Sequence, residues 1–117
     1  MLVFLTDIVF ACFALLLWAQ VLLCGLESHV CVLQTVMDLL ESKVAVHIVC
    51  DAISSQRPYD RSCAINRAIA MGAVPTTTES AIFELMGTAE YENFKEISGM
   101  VKNHNDLVKT ECPTDFE

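Results

Sequence analysis

A chain of 117 residues can enclose one domain around one core, and its net charge of −8 withholds the positive footprint that phosphate backbones require, which argues against nucleic-acid binding. Hydrophobic residues make up 54% and the mean hydropathy is +0.48, with much of the excess in the first 24 residues; the acid lies late, nine acidic residues against three lysines between Glu79 and Glu117. None of the six cysteines (Cys12, Cys24, Cys31, Cys50, Cys63, Cys112) forms a C-x-x-C pair, so zinc-ribbon and thioredoxin spacings are absent and a reducing, cytoplasmic setting fits better than a disulfide scaffold.

The chain opens on an apolar segment. Between Asp7 and Glu27 lie 19 uncharged residues, IVFACFALLLWAQVLLCGL, close to the ~20 needed to span a bilayer as a helix. No Lys or Arg precedes it and no small-x-small cleavage site follows, so it does not read as a signal peptide. Within the apolar segment 1–20, residues 8–20 are expected to form a buried helix that runs directly into a core strand at 21–24. The alternative is a membrane helix over 5–23 that anchors the chain.

From there strand and helix patterns alternate. VLLC at 21–24 is a continuous apolar run, as expected of a strand buried on both faces. Ser28 is placed to cap the next helix, on which Val30, Leu33, Met37 and Leu40 recur at helical spacing and Val36 widens the stripe. Glu41-Ser42-Lys43 ends that helix. VAVHIVC at 44–50 is β-branched and apolar, a second buried strand closed by Asp51. SSQRPYD supplies a loop, and a helix over 61–71 presents Ala64, Ala68 and Met71 on one side before Gly72 stops it. A third, shorter strand is expected at 73–75. TTTE at 76–79 has capping-box spacing and opens a helix to about Met86. Phe94, Ile97 and Val101 mark a last amphipathic helix, and residues 104–117 read as a loose polar tail.

Strands and helices alternating with short links imply βαβ crossovers and a parallel sheet, whose reactive site lies beyond the carboxyl ends of the strands. The stretch from Gly25 to Cys31 is at such an end. Cys31 falls in the first turn of its helix, where unpaired amides and the positive end of the helix dipole converge. Both favour a thiolate, and the same amides can receive the oxyanion formed when a carbonyl is attacked. Gly25 lets the backbone turn sharply there. Spacing alone, however, fits better a small packing cysteine on a buried helix.

The stretches GLESHVCVLQTVMDLL, VHIVCDAISSQRPYDR and GAVPTTTESAIFEL occur in this order and resemble the C-terminal half of the isochorismatase-like hydrolases over about residues 20–103. The resemblance implies a three-layer α/β/α, Rossmann-like fold around a mostly parallel sheet. It also implies a cysteine hydrolase acting on amide or related carbonyl substrates through a covalent thioester, with Cys31 as nucleophile. By the same resemblance the peptide bond joining Leu26 to Glu27 is cis, and the N–H groups of Glu27 and Cys31 point at the oxyanion. The Glu27 carboxylate reads as solvated or paired with the helix dipole. His29 is two positions from Cys31 and cannot share its helix face, so it is assigned to the rim of the site or to a subunit contact rather than to proton transfer. His47 and His104 form no spaced ligand set, and neither a metal nor a cofactor is expected.

Family hydrolases also use an aspartate after the first strand and a lysine from a later strand, both many tens of residues before the cysteine. Here 30 residues precede Cys31, none of them lysine, and Asp7 lies too close to it in sequence for the aspartate's role. The expectation is therefore an incomplete α/β domain at 21–103 with about three strands, flanked by the unrelated apolar segment 1–20 and the tail 104–117. It would bind a small-molecule substrate, form homo-oligomers, and be truncated and catalytically impaired. Two other readings stay open: a non-catalytic interaction module joined through an exposed sheet edge, and a single-pass membrane protein.

Overall fold

The computed structural model describes the backbone of residues 20–111 and the side-chain surroundings of residues 20–107. The expectations for the apolar run before Gln20, for Asp7, and for Cys12 and Cys112 lie outside the described residues.

Three strands form one parallel sheet in the order β1 (Gln20–Leu26), β2 (Ala45–Ser54), β3 (Val74–Thr76). The helix α1 (Leu33–Glu41) joins β1 to β2, and α2 (Pro58–Ala70) joins β2 to β3. This α/β arrangement matches the expected class, because each crossover helix offers an apolar stripe and each strand β-branched residues to meet it. Along β1, Val21 and Leu23 are buried while Leu22 and Cys24 are half-buried. One face of β1 thus carries the core, where two buried faces are expected from the sequence. The core forms where Leu23, Ile48 and Ile53 of the sheet meet Leu33 and Val36 of α1 and Ala68 of α2. Val36 is fully enclosed, and burying such a side chain contributes about 1.5–3 kcal/mol.

Contacts divide the described residues into two compact units, 20–81 and 82–111. The helix α3 (Thr78–Met86) begins in the first, and α4 (Phe94–Glu111) belongs to the second. Within the second unit the rings of Phe83 and Phe94 pack at a centroid distance of 6.0 Å, tilted by 57°. The last helix continues past Asn103 to Glu111, where a loose tail is expected from composition.

Several boundaries shift for local reasons. Ser28 does not cap α1. A π-helical turn, Ser28–Val32, precedes α1, and Glu27 takes the cap position without a side-chain hydrogen bond. Such a turn fits an extra residue per turn, so Val30 rotates outward while Val32 joins Leu33 and Val36 in the core. The strand β2 passes Asp51 and ends at Ser54. Between Leu23 and Gly25 of β1 its register jumps from Ile48 to Ile53, a bulge that sequence alternation cannot reveal. The helix α2 starts at Pro58, whose fixed φ and missing N–H suit a first helical position. Thr77 rather than Thr76 caps α3, its Oγ1 accepting the amide of Ser80 at 3.3 Å. Among the described residues no helix is long and apolar enough to cross a membrane, and residues 20–23 of the stretch considered as a span belong to β1.

Candidate active site at the carboxyl end of β1

The site grows from the way β1 ends. Gly25 has φ of +135°, a conformation that side chains rarely adopt, and it lies one residue before the Leu26–Glu27 peptide bond, which is cis. The chain then enters the π-helical turn. The carbonyl of Glu27 accepts the amides of Val30 at 3.1 Å and of Val32 at 3.2 Å. An ordinary α-turn would join this oxygen to the amide of Cys31; here the bonding steps over it. Leu33 N–H reaches back to the carbonyl of Ser28, which continues the wide turn.

Cys31 is exposed at this turn, and its carbonyl accepts the hydroxyl of Thr35 at 2.8 Å. Cys31 and Cys63 are exposed, whereas Cys24 and Cys50 are half-buried; none of the four forms a disulfide. Ser28, next to the cis bond, is 1% exposed and its Oγ has no hydrogen-bond partner. It lines a cavity of about 10 Å³ whose other lining side chains, Val32, Val36, Ile48 and Ile53 among them, are all apolar.

The loop after β2 meets the same turn. The amide of Gln56 donates to Glu27 Oε2 at 3.0 Å, so the Glu27 carboxylate is tied to the backbone rather than merely solvated. His29 Nδ1 and Ser55 Oγ share a hydrogen bond of 3.0 Å, and His29 Nε2 lies 3.9 Å from Asp60 Oδ2. Arg57 Nε approaches the same Asp60 oxygen at 3.0 Å as an ion pair, but off the axis a hydrogen bond needs, and Oδ2 is shielded from solvent without accepting one. His29 is thus attached to the β2–α2 segment. Sequence reasoning missed Ser55, Gln56, Arg57 and Asp60. The available signal was their place in SSQRPYD, directly after a strand's carboxyl end.

Further from Cys31, Arg61 of α2 donates through Nε to the carbonyl of Ile53 at 3.0 Å and through a terminal nitrogen to the carbonyl of Cys50. Asp51 Oδ1 accepts both the amide and the hydroxyl of Thr78, at 2.8 and 3.0 Å, which anchors the start of α3. On α2 the Tyr59 phenol, its O–H donating to the Cys63 sulfur, is held above its ordinary value of 10.0. His47 lies mid-strand in β2 and His104 in α4. Among the described residues no group of three or more His, Cys, Asp or Glu side chains could hold a metal ion.

Comparison with known proteins places this geometry. The family model described as Isochorismatase domain matches residues 15–80. The chain is 52% identical over 85 residues to a secreted isochorismatase effector of Phytophthora sojae, covering 73% of this chain and 40% of that protein. It is 46% identical over 83 residues to isochorismatase domain-containing protein 2 of Bos taurus, covering 71% and 41%. Among solved structures, the MAR1 ribonuclease of Caenorhabditis elegans superposes with a TM-score of 0.68 at 40% identity, covering 85% of this chain and 48% of that one. The chain thus spans about 40% of the length of these two curated relatives. With the family model matching over half of its residues and a parallel α/β sheet beneath the matched motifs, the chain belongs to the isochorismatase-domain family.

Proposed function

We propose that this chain carries the nucleophile portion of a cysteine hydrolase site acting on an amide or a related carbonyl compound. The Cys31 thiolate adds to the carbonyl carbon, and the oxyanion rests against the N–H groups of Glu27 and Cys31. Collapse expels the leaving nitrogen or oxygen, which takes a proton from water and departs as amine or alcohol, and leaves an acyl thioester that water cleaves to a carboxylic acid. The observation that carries this reading is the turn itself. An exposed cysteine stands at a strand's carboxyl end, and the Glu27 carbonyl bonds to the amides on either side of it, not to its own.

The aspartate and lysine that family resemblance assigns to proton transfer are not matched in this chain, so the reading covers the nucleophile and the oxyanion donors alone. The ribonuclease activity named for the nematode protein is not carried over, because a net charge of −8 repels a phosphate backbone.

Alkylation by iodoacetamide at neutral pH, mapped peptide by peptide, tests the proposal. Cys63 is exposed as well, so it reports accessibility without activation. Cys31 should react faster than Cys63, and Cys24 and Cys50 slowest. An activated ester should leave its acyl group on Cys31. Equal rates at Cys31 and Cys63, with no acyl adduct, would remove the nucleophile assignment.

A further inference from the structure

We infer that His29 is a positioning residue for Cys31: its imidazole latches the nucleophile turn to the segment that follows β2. The inference rests on the reading of Cys31 as nucleophile. Residues 27–31 hold the cysteine, and the Thr35 hydroxyl that donates to the Cys31 carbonyl lies within the same helical run. The ties that fix the turn against another element are those of its neighbours. His29 Nδ1 meets Ser55 Oγ at 3.0 Å, and Glu27 Oε2 accepts the Gln56 amide at 3.0 Å.

The second ring nitrogen has a partner waiting. Asp60 Oδ2 is shielded from solvent, accepts no hydrogen bond, and faces Nε2 at 3.9 Å. Its ion pair with Arg57 leaves that oxygen without a hydrogen-bond donor, and a shift of about 1 Å would bring the imidazole within hydrogen-bond reach. The other charged groups around the ring are the Glu27 carboxylate, 3.8 Å from Nδ1, and Arg57, which is paired with Asp60. His29 thereby spans the end of β1, the loop after β2 and the first turn of α2. No role as the base for Cys31 is needed, consistent with their two-residue separation.

The test compares the ratio of Cys31 to Cys63 alkylation rates in the full chain and in His29→Ala, His29→Asn, His29→Gln and Ser55→Ala. Amide exchange at Val30 and Val32 is followed alongside. Asparagine can reproduce the Nδ1 contact with Ser55 and glutamine can reach toward Asp60, both without charge. Alanine should lower the ratio by roughly ten-fold, since small misplacements of reacting groups are costly. Asparagine should recover most of it, Ser55→Ala should repeat part of the loss, and the Val30 and Val32 amides should exchange faster only where the ratio falls. Should asparagine prove as poor as alanine, the imidazole acts by charge or proton transfer and the latch is overturned. An unchanged ratio in both His29→Ala and Ser55→Ala overturns it too, and Ser55→Ala still decides if His29→Ala does not fold. A wild-type Cys31 no faster than Cys63 removes the nucleophile reading instead. The latch then stands only if alanine speeds exchange at Val30 and Val32 and asparagine reverses it.

Discussion

Replacing Ser28 by alanine should stabilise the protein, against the usual direction of substitutions in a core. Ser28 is 1% exposed and its hydroxyl has no partner. The adjoining cavity of about 10 Å³ is at the lower limit for a water and supplies no second polar side chain to hold one. Such a buried, unpaired hydroxyl costs about 1–3 kcal/mol. Removing the oxygen enlarges the cavity by roughly another 10 Å³, which at about 24 cal/mol per Å³ costs only ~0.2 kcal/mol. Alanine is also the better helix former by up to about 0.5 kcal/mol. The relief wins, and the net gain is about 1–2 kcal/mol. Urea unfolding should show a higher midpoint at unchanged slope, and the melting temperature should rise by roughly 5 °C or more. Alkylation of Cys31 should be unaffected. A loss of stability would mean that the hydroxyl has a partner after all, and the picture of a dry pocket under the nucleophile turn would fail.

Further expectations concern the backbone and the caps. Gly25→Ala meets only Val32 Cγ2 at 4.0 Å, so space is not the obstacle; the φ of +135° is, and the substitution should destabilise by about 1–3 kcal/mol and slow Cys31 alkylation. Gly99→Ala, inside α4 with open space around it, should instead stabilise by about 0.5–1 kcal/mol, and comparing the two melting curves separates backbone strain from crowding. Asp51→Ala frees the amide and hydroxyl of Thr78 and should cost about 1 kcal/mol in chemical unfolding, with Asp51→Asn recovering most of it. Cys63→Ala should bring the Tyr59 phenol down toward 10.0, read by ultraviolet titration. The raised value means that the folded state holds the proton more tightly. The Tyr59–Cys63 contact therefore supports folding below pH 10 and is lost above it, a contribution the variant should lack.

The alternation of strands and helices was legible because each element has its own periodicity: β-branched residues at 44–50, alanines four apart on α2, a threonine run before α3. The position of Cys31 at a strand's carboxyl end was legible for the same reason. What stayed hidden depends on partners distant in sequence. The extension of β2 beyond Asp51 needs Gly25 and Leu26 beside Ile53 and Ser54, which no local pattern in AVHIVCDAIS declares. The π-helical turn was hidden because Ser28 has the right chemistry for a cap; burial of its side chain, not its identity, moved the cap to Glu27. The sequence shows what His29 cannot do for Cys31 but not its contacts with Ser55 and Asp60, which lie 26 and 31 positions away.

The Arg61 side chain bridges the surplus of β2. Where β1 advances two residues, from Leu23 to Gly25, β2 advances five, from Ile48 to Ile53, and the carbonyls of Cys50 and Ile53 turn to the guanidinium of α2 for their donors. That rigid planar fork works as a gauge block, setting how much surplus chain the strand stores before it rejoins its neighbour. An ammonium on a flexible stem has no such span, so even lysine would leave the interval unmeasured and the take-off angle of the following loop undefined.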